Sequence, residues 1–190
     1  MTASAPMVRK RKIIVYIATS ADGFIARADG SVDWLDDPRL KGTHGMGVFY
    51  KSVDTILWGR KTCDMALDFQ KKGVAGSAFD AKLKNYVFTR GLLPSASPAG
   101  VEFVNESVKA FAKRLRSQKG KDIWMMGGAG IIASFLDQGE IDEFMIHVIP
   151  TFIGEGIPLI APGRRTVPLK SISSTRFPDG VIRLHYAVRK

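Results

Sequence analysis

A glycine turn between an apolar run and an amphipathic stretch is the feature of the sequence best suited to bind an anion. The run 123–126 ends in the turn Gly127, Gly128, Ala129 and Gly130. Apolar residues then recur over 131–136 at a spacing that places them on one helix face. Glycines let the backbone approach a phosphate, and the first N–H groups of a helix point at it. The same glycines would also suit close packing of a helix on a strand, so the turn alone leaves both interpretations open.

Two other predicted strands end in groups that suit phosphates. The predicted strand 55–58 is followed by Gly59, Arg60, Lys61 and Thr62, and the predicted strand 84–89 ends in Thr89 and is followed by Arg90. In open α/β sheets, ligands lie beyond the carboxyl ends of the strands. An arginine fork can bind a phosphate monoester in bidentate fashion. If the three strands are neighbours, a phosphorylated dinucleotide could lie across them, which favours NADPH over NADH. Arg60 and Lys61 alone would equally be a solvated surface pair.

A loop rich in Gly, Asp and Pro follows the first predicted strand up to residue 47. Long loops in small domains are often functional. We assign Asp33 as a candidate catalytic acid and Trp34 as a flat apolar wall for a substrate ring. Asp22, in the turn that closes the first strand, is assigned to substrate binding. Asp33 as a turn residue and Trp34 as a core anchor remain open alternatives.

The composition is that of a soluble globular domain of 190 residues, with a net charge of +10. The excess of basic residues favours an anionic ligand without choosing between a nucleotide and a nucleic acid. No aromatic-interleaved basic strand of the kind that stacks bases is present. We therefore expect a small-molecule partner, and neither a nucleic acid nor a membrane.

The single cysteine, Cys63, cannot form an internal disulfide and fits a reducing, cytoplasmic compartment. The three histidines, His44, His147 and His185, lack metal-ligand spacing, so no metal site is expected. His147 and His185 fall within strand patterns and are expected to be structural. His44 lies in the glycine-rich loop and could reach a ligand, although loop histidines are usually solvated.

The pattern of elements predicts an α/β fold with a mixed, mostly parallel sheet and a C-terminal antiparallel hairpin. A flexible leader is expected over 1–11 and a single domain over 12–190. Thr62 is expected to cap a helix that begins at Cys63, and residues 70–82 are expected to form a loop. Strands are predicted over 12–18, 55–58, 84–89, 101–104, 123–126, 141–149, 167–177 and 181–188, with helices over 48–52, from 63, over 108–115 and over 131–136.

Several short motifs, in this order, resemble the dihydrofolate reductase-like superfamily with its three-layer fold. The resemblance is closest to stand-alone relatives of the C-terminal reductase domain of the bifunctional riboflavin-biosynthesis deaminase-reductase, which is a pyrimidine reductase. It runs from about residue 12 to the C-terminus. The motifs that carry it lie at 20–26, 59–62, 87–90, 127–129, 141–144 and 149–156.

The resemblance implies NADPH as cofactor and gives roles to individual residues. It places Ala18 and Ile25 at the nicotinamide end, Arg60 and Thr62 at the 2′-phosphate and pyrophosphate, Thr89 and Arg90 beside the adenosine, and Gly127, Gly128, Ala129 and Gly130 at the pyrophosphate. It also implies a homodimer, paired through the apolar strand 144–151.

The sequence departs from the resemblance at the substrate side. Dihydrofolate reductases carry an acid in the helix before the second strand, and this chain has Gly45 or its neighbours there, so folate reduction is not expected. The resulting hypothesis is an NADPH-dependent reductase of a small heterocyclic or carbonyl substrate. A non-catalytic dinucleotide-binding module is the main alternative, and a basic nucleic-acid-binding protein is a third.

Overall fold

The computed structural model describes residues 10–73 and 78–190. In chain order its strands are β1 (Ile13–Ser20), β2 (Phe24–Ala26), β3 (Val53–Gly59), β4 (Lys84–Phe88), β5 (Val101–Val104), β6 (Asp122–Gly127), β7 (Glu143–Ile149), β8 (Ile157–Pro158), β9 (Leu169–Arg176) and β10 (Ile182–Val188). Its α-helices are α1 (Met46–Ser52), α2 (Arg60–Lys71), α3 (Val108–Ser117) and α4 (Ala129–Asp137).

An eight-stranded sheet runs through the centre in the order β5-β4-β3-β6-β1-β7-β10-β9, and β2 pairs with β8 in a separate two-stranded ribbon. The pairs from β5 to β7 are parallel, whereas β10 is antiparallel to both β7 and β9. The predicted mixed, mostly parallel sheet with a C-terminal antiparallel hairpin is therefore confirmed.

Alternation along the central strands produces the three layers. In β1, Ile13 and Val15 face a core with α3 and α4, while Ile14 and Tyr16 face a second core with α1 and α2. Such near-continuous apolar strands are typical of a sheet that is covered on both sides. Helix α2 leaves β3 on one face and α4 leaves β6 on the other, so a crevice opens between these strand ends.

Several predicted boundaries are corrected. Helix α2 begins at Arg60 with Gly59 as its N-cap, so Thr62 lies in the first turn and is not the cap. Arg11 is only 2% exposed and donates to the carbonyl oxygen of Lys121 and to Thr55, so it belongs to the domain rather than to the leader. Residues 1–9 of the predicted leader lie outside the described residues.

Two predicted loops contain additional structure. Helix α2 extends to Lys71 in the region predicted as a loop over 70–82, of which 74–77 lie outside the described ranges. The loop after β1 holds a 3-10 helix, Asp33–Leu35, and the loop after β7 holds β8. Short elements of two or three residues carry too little periodicity to be read from sequence. Within 10–73 and 78–190, no helix has the length and apolarity needed to cross a membrane.

Truncation of Phe135 to alanine is expected to destabilise the fold by about 3–5 kcal/mol, because its fully buried ring packs between α4 and the sheet. Phe152 is 79% exposed, so Phe152→Ala is the matched control and should stay within about 0.5 kcal/mol of the parent. Urea unfolding followed by circular dichroism measures both. Equal losses of stability in the two variants would contradict this placement of the core.

Candidate nucleotide and substrate site

The ends of β3 and β6 approach so closely that a side chain at Gly59 would crowd the turn that follows β6. A Cβ atom built on Gly59 would lie 3.3 Å from the carbonyl oxygen of Gly127 and 3.3 Å from the amide nitrogen of Gly128. Gly127 has a φ of +111°, which L side chains rarely adopt, and its peptide bond to Gly128 is cis. The glycine turn therefore lies directly against the end of the neighbouring strand.

Two helices start at this contact. Gly59 is the N-cap of α2 and Gly128 is the N-cap of α4, and neither helix has a side-chain hydrogen bond at its cap. The first N–H groups of a helix have no partner inside the helix, and they carry the positive end of its dipole. Two such ends on adjacent parallel strands form a site suited to an anion.

The structure brings other predicted cofactor residues to the same place. A Cβ on Gly128 would lie 3.2 Å from the hydroxyl oxygen of Thr62 and 3.7 Å from the Cδ1 atom of Ile25. Thr62 in α2, the turn after β6 and β2 therefore surround one space, although they are far apart in sequence. Ala129 is buried beside this turn, whereas Gly130 is exposed, and a Cβ added there would meet no described atom within 4 Å.

The predicted basic residues lie on the surface, just after the carboxyl ends of β3 and β4. Arg60 is exposed, forms an i,i+4 ion pair with Asp64 at 2.8 Å, and stacks over the Phe103 ring at 5.3 Å. Lys61 and Arg90 are exposed, and the hydroxyl oxygen of Thr89 accepts a hydrogen bond from the Gly91 amide at 3.2 Å. Because β4 neighbours β3, the residues after these two strands share one edge of the sheet.

A cavity of about 420 Å³ adjoins the glycine turn at the carboxyl ends of β1, β6 and β7. Met126, which precedes the turn, lines it, as does Ile17, whose Cδ1 atom would be 3.4 Å from a Cβ on Gly127. The predicted nicotinamide contact Ala18 also lines it. The remaining walls are Tyr16, Leu35, Leu40, Gly42, Thr43, His44, Met46, Trp124, His147 and Ile149.

An aromatic group forms the cavity wall on the side of α1. The rings of Tyr16 and Phe49 stack at 4.2 Å, and Trp124 packs edge-on against both. The indole N–H of Trp124 donates to the carbonyl oxygen of Tyr16 at 3.0 Å. Because these rings are buried and interlocked, this wall is rigid and apolar, and it suits a flat ring.

Two histidines, His44 and His147, also line the cavity, and an aspartate outside its lining holds the first of them. The Nε2 atom of His44 lies 2.6 Å from the Oδ2 atom of Asp179, in the turn between β9 and β10. The hydrogen bond from His44 holds the pKa of Asp179 below its ordinary value, with support from the amides of Val181 and Lys41. The ionised carboxylate can only accept, so Nε2 of His44 carries the hydrogen.

The backbone of His44 is fixed by two groups of the sheet. Its carbonyl oxygen accepts hydrogen bonds from the Nε2 atom of His147 at 3.1 Å and from the Tyr16 hydroxyl at 3.4 Å. Burial lowers the pKa of His147 and raises the pKa of Tyr16, so both remain neutral donors near neutral pH. His44 itself has a φ of +48°, a conformation that these contacts support.

The three residues predicted for the substrate side are not among the residues that line this cavity. The Asp33 carboxylate is exposed and bound by Arg27 at 2.6 and 3.0 Å, and hydrogen bonding by Arg27 lowers its pKa. A stabilised carboxylate is a poor proton donor, so the geometry does not favour a catalytic Asp33. Trp34 is 6% exposed and packs with Ile149 and Val181, as in the core-anchor alternative.

Asp22 fastens the loop that follows β7. Its carboxylate accepts hydrogen bonds from the amide of Gly154 at 2.8 Å and from the amide of Ile153 at 3.2 Å. Hydrogen bonding by the Ser20 hydroxyl, then by these amides, lowers the pKa of Asp22. Its acceptor positions are used by the backbone, which favours a structural role over the predicted binding of substrate.

Sequence reasoning gave no functional role to His147 or Asp179 and left His44 undecided. His44 contacts His147 and Asp179, which lie 103 and 135 positions away from it along the chain. Contacts at such separations produce no local pattern in the sequence. The one available signal was a histidine between glycines in a loop that follows a strand end. Among the described residues, no group of three or more His, Cys, Asp or Glu side chains is placed to hold a metal ion.

The sheet order, the crevice between β3 and β6 and the glycine turn define the dihydrofolate reductase-like fold. Dihydrofolate reductase from Enterococcus faecalis, solved with NADP(H), superimposes with a TM-score of 0.62 at 13% identity, over 94% of this chain and 97% of that one. This similarity concerns the fold and confirms the predicted class.

The chain belongs to the RibD C-terminal domain family, whose sequence profile matches residues 11–183. Uncharacterized protein YwjB of Bacillus subtilis (strain 168) is 40% identical over 178 residues, covering 93% of this chain and 98% of YwjB. The crystal structure of a protein assigned to riboflavin biosynthesis from Shewanella sp. PV-4 has a TM-score of 0.80 at 26% identity, over 94% and 99% of the two chains. The predicted family is confirmed.

Replacement of His44 by alanine is expected to raise the pKa of the Asp179 carboxyl towards its ordinary value, because the largest cause of its depression is removed. A depressed folded-state pKa stabilises the fold above the unfolded value and loses this effect as pH falls through the folded value, so the stability advantage of the wild type over the variant should be fully present above about pH 4 and should shrink as the pH falls further. Carbon-13 NMR of the carboxyl group measures the titration. Asp37, whose pKa Arg39 lowers to about 2, should titrate unchanged in both proteins; an unshifted Asp179 would contradict the pairing.

Proposed function

We propose that the protein is an NADPH-dependent reductase of a small heterocyclic or carbonyl substrate. The observation that carries the proposal is the contact between Gly59 and the Gly127-Gly128 turn, where two helix starts meet beside an aromatic-walled cavity. Membership of the RibD C-terminal domain family supports it. The resemblance of the sequence to pyrimidine reductases points to a flat ring as substrate.

The residues around the glycine turn fit a pyrophosphate. A side chain at position 59 or 128 would fill the space into which the phosphates must enter, since a Cβ at either position would lie 3.2–3.3 Å from a neighbouring atom. The Thr62 hydroxyl faces the same space and can donate to a phosphate oxygen. The helix starts of α2 and α4 add backbone donors and positive potential.

Arg60 is the residue that would distinguish NADPH from NADH. Its guanidinium is exposed at the first position of α2, and its ion pair with Asp64 leaves terminal nitrogens for a phosphate monoester. Lys61 would add positive charge, and Thr89 and Arg90 would flank the adenosine at the end of the neighbouring strand. These assignments come from the family resemblance and are consistent with the shared edge of β3 and β4.

The cavity would hold the substrate against the nicotinamide. Ala18, Ile17 and Met126 form its border with the glycine turn, so a dinucleotide on the turn would reach the cavity with its nicotinamide end. The cofactor supplies a hydride when bound. The apolar rings of Tyr16 and Trp124 would exclude water from the reacting atoms.

We also propose a homodimer and a cytoplasmic location. Strand β7 pairs with β1 on one side and β10 on the other, so the predicted pairing through its backbone is closed. In the described sheet β9 is the outer strand, with Ile172 48% exposed, and Ile182 of the neighbouring β10, which pairs with Arg176, is 41% exposed. The proposed homodimer would form at this edge of the sheet.

The proposed cytoplasmic location is supported by the buried, unpaired thiol of Cys63.

NADPH is expected to raise the thermal unfolding temperature well above any effect of NADH, and Arg60→Ala should remove this preference. At a hundredfold excess over its dissociation constant, a ligand of the folded state stabilises it by about 2.7 kcal/mol. Arg114 also combines carboxylate ion pairs with stacking on an aromatic ring, but it lies on α3, so Arg114→Ala is the matched control. No shift with either nucleotide would overturn the proposal.

Gly128→Ala is expected to weaken NADPH binding by about tenfold or more, because the added methyl group enters the space beside the Thr62 hydroxyl. Gly47→Ala makes the same change in α1, away from the glycine turn, where a Cβ meets no described atom within 4 Å, and it should bind normally. Isothermal titration calorimetry measures both affinities. Equal affinities in the two variants would exclude this turn as the pyrophosphate site, and binding without any NADPH oxidation would favour a non-catalytic module.

A further inference from the structure

The polar groups of the cavity consist of hydrogen-bond donors and imidazoles. No Asp or Glu is among the described residues that line it. A diaminopyrimidine or pterin presents amino groups and needs a carboxylate to accept from them. A ring that bears carbonyl groups instead needs donors, which Thr43 and His44 can provide.

The two ring nitrogens of His44 differ in their hydrogen bonding. Its Nε2 atom donates to Asp179, and Nδ1 has no hydrogen-bond partner within the part of the chain that the structure describes. The side chain is 17% exposed and that of Asp179 is 6% exposed, so the pair is largely shielded from water. When the imidazole is protonated, Nδ1 is the donor that remains for a ligand in the cavity.

The other charged or titratable groups around His44 keep one protonation state near neutral pH. The pKa of His147 is lowered, that of Tyr16 is raised and that of Asp179 is lowered. Arg183, whose guanidinium lies against Gly45, stays charged. Among these groups, His44 is the one that combines a carboxylate partner at one ring nitrogen with a second ring nitrogen available to a ligand.

We propose that His44, held by Asp179, is the proton donor of this site, and that the substrate is a flat ring bearing a carbonyl group. The inference rests on the proposed reductase function. The carbonyl carbon accepts a hydride from the reduced nicotinamide, and the π electrons of the C=O bond move to oxygen. That oxygen takes the proton from Nδ1 of His44. The products are the hydroxyl compound, NADP⁺ and a neutral imidazole that still donates from Nε2 to Asp179.

Asp179 is a positioning residue in this scheme. It selects the ring orientation and the Nε2–H tautomer, which leaves Nδ1 for the substrate. Tyr16 and His147 hold the main chain of His44, so the imidazole enters the cavity from a fixed backbone. The role of the carboxylate is testable without substrate, because nitrogen-15 NMR distinguishes the two imidazole tautomers. Asp179→Asn should weaken the preference of His44 for Nε2–H.

The test uses isatin, a flat cyclic ketone, as the probe and His44→Gln as the central variant. Isatin binding is measured by NMR titration from about pH 5.5 to about pH 9 without NADPH, and NADPH oxidation is followed with isatin as acceptor. The wild type should bind isatin more tightly as pH falls, and the shift should appear at His44. His44→Gln should bind without this pH dependence and lose about 100-fold or more in rate near pH 6.

His185→Gln is the matched control, because His185 also pairs with a carboxylate, Glu143, at 2.9 Å, but does not line the cavity. It should retain the wild-type pH profile. An identical profile in His44→Gln would overturn the assignment of His44, and no isatin binding by the wild type at millimolar concentration would overturn the carbonyl class. Asp179→Asn, which keeps the imidazole, provides the second variant if His44→Gln does not fold.

The thermal unfolding with NADPH and the isatin measurements together separate this inference from the proposed function. NADPH stabilisation with a pH profile that is unchanged in His44→Gln would leave the reductase standing and remove His44 as its donor. A pH profile that depends on His44 in a protein that NADPH does not stabilise would have the opposite meaning. In that case the carbonyl site exists and the reductase proposal fails.

Discussion

The contact between the ends of β3 and β6 is the constraint on which the site depends. Neither Gly59 nor Gly128 can gain a side chain without meeting a neighbouring atom at 3.2–3.3 Å. This approach places the starts of α2 and α4 side by side although the helices lie on opposite faces of the sheet. A wider separation of the two strands would leave two isolated helix starts instead of one anion site.

The regular part of the fold could be predicted because its signals are local. The apolar runs of β1, β3 and β6 are long, and the alternation within them matches burial on two faces. The family resemblance then supplied the three-layer arrangement. The start of α2 was missed because Thr62 is a good capping residue, whereas the actual cap, Gly59, is fixed by its packing against the turn after β6.

The sequence predicts the proposed cofactor side of the site better than the proposed substrate side. The residues predicted to bind a dinucleotide lie in short motifs at strand ends, and the structure brings three of them, Thr62, Ile25 and Gly128, around one space. The cavity, by contrast, is closed by a loop whose position depends on contacts to β1, β7 and the β9–β10 turn. Asp33 was favoured by sequence position alone, and its neighbour Arg27 gives it a different environment.

The packing of Trp124 has an optical consequence. The chain has three tryptophans, and Trp124 is the one of the three that lines the cavity, while Trp34 is in a small core cluster and Trp58 donates to Asn85 at 3.1 Å. Tryptophan emission overlaps the absorption band of a reduced nicotinamide. An indole held rigidly in this wall, beside the proposed position of the nicotinamide, would therefore let the protein report binding of a reduced nicotinamide by energy transfer without any attached dye.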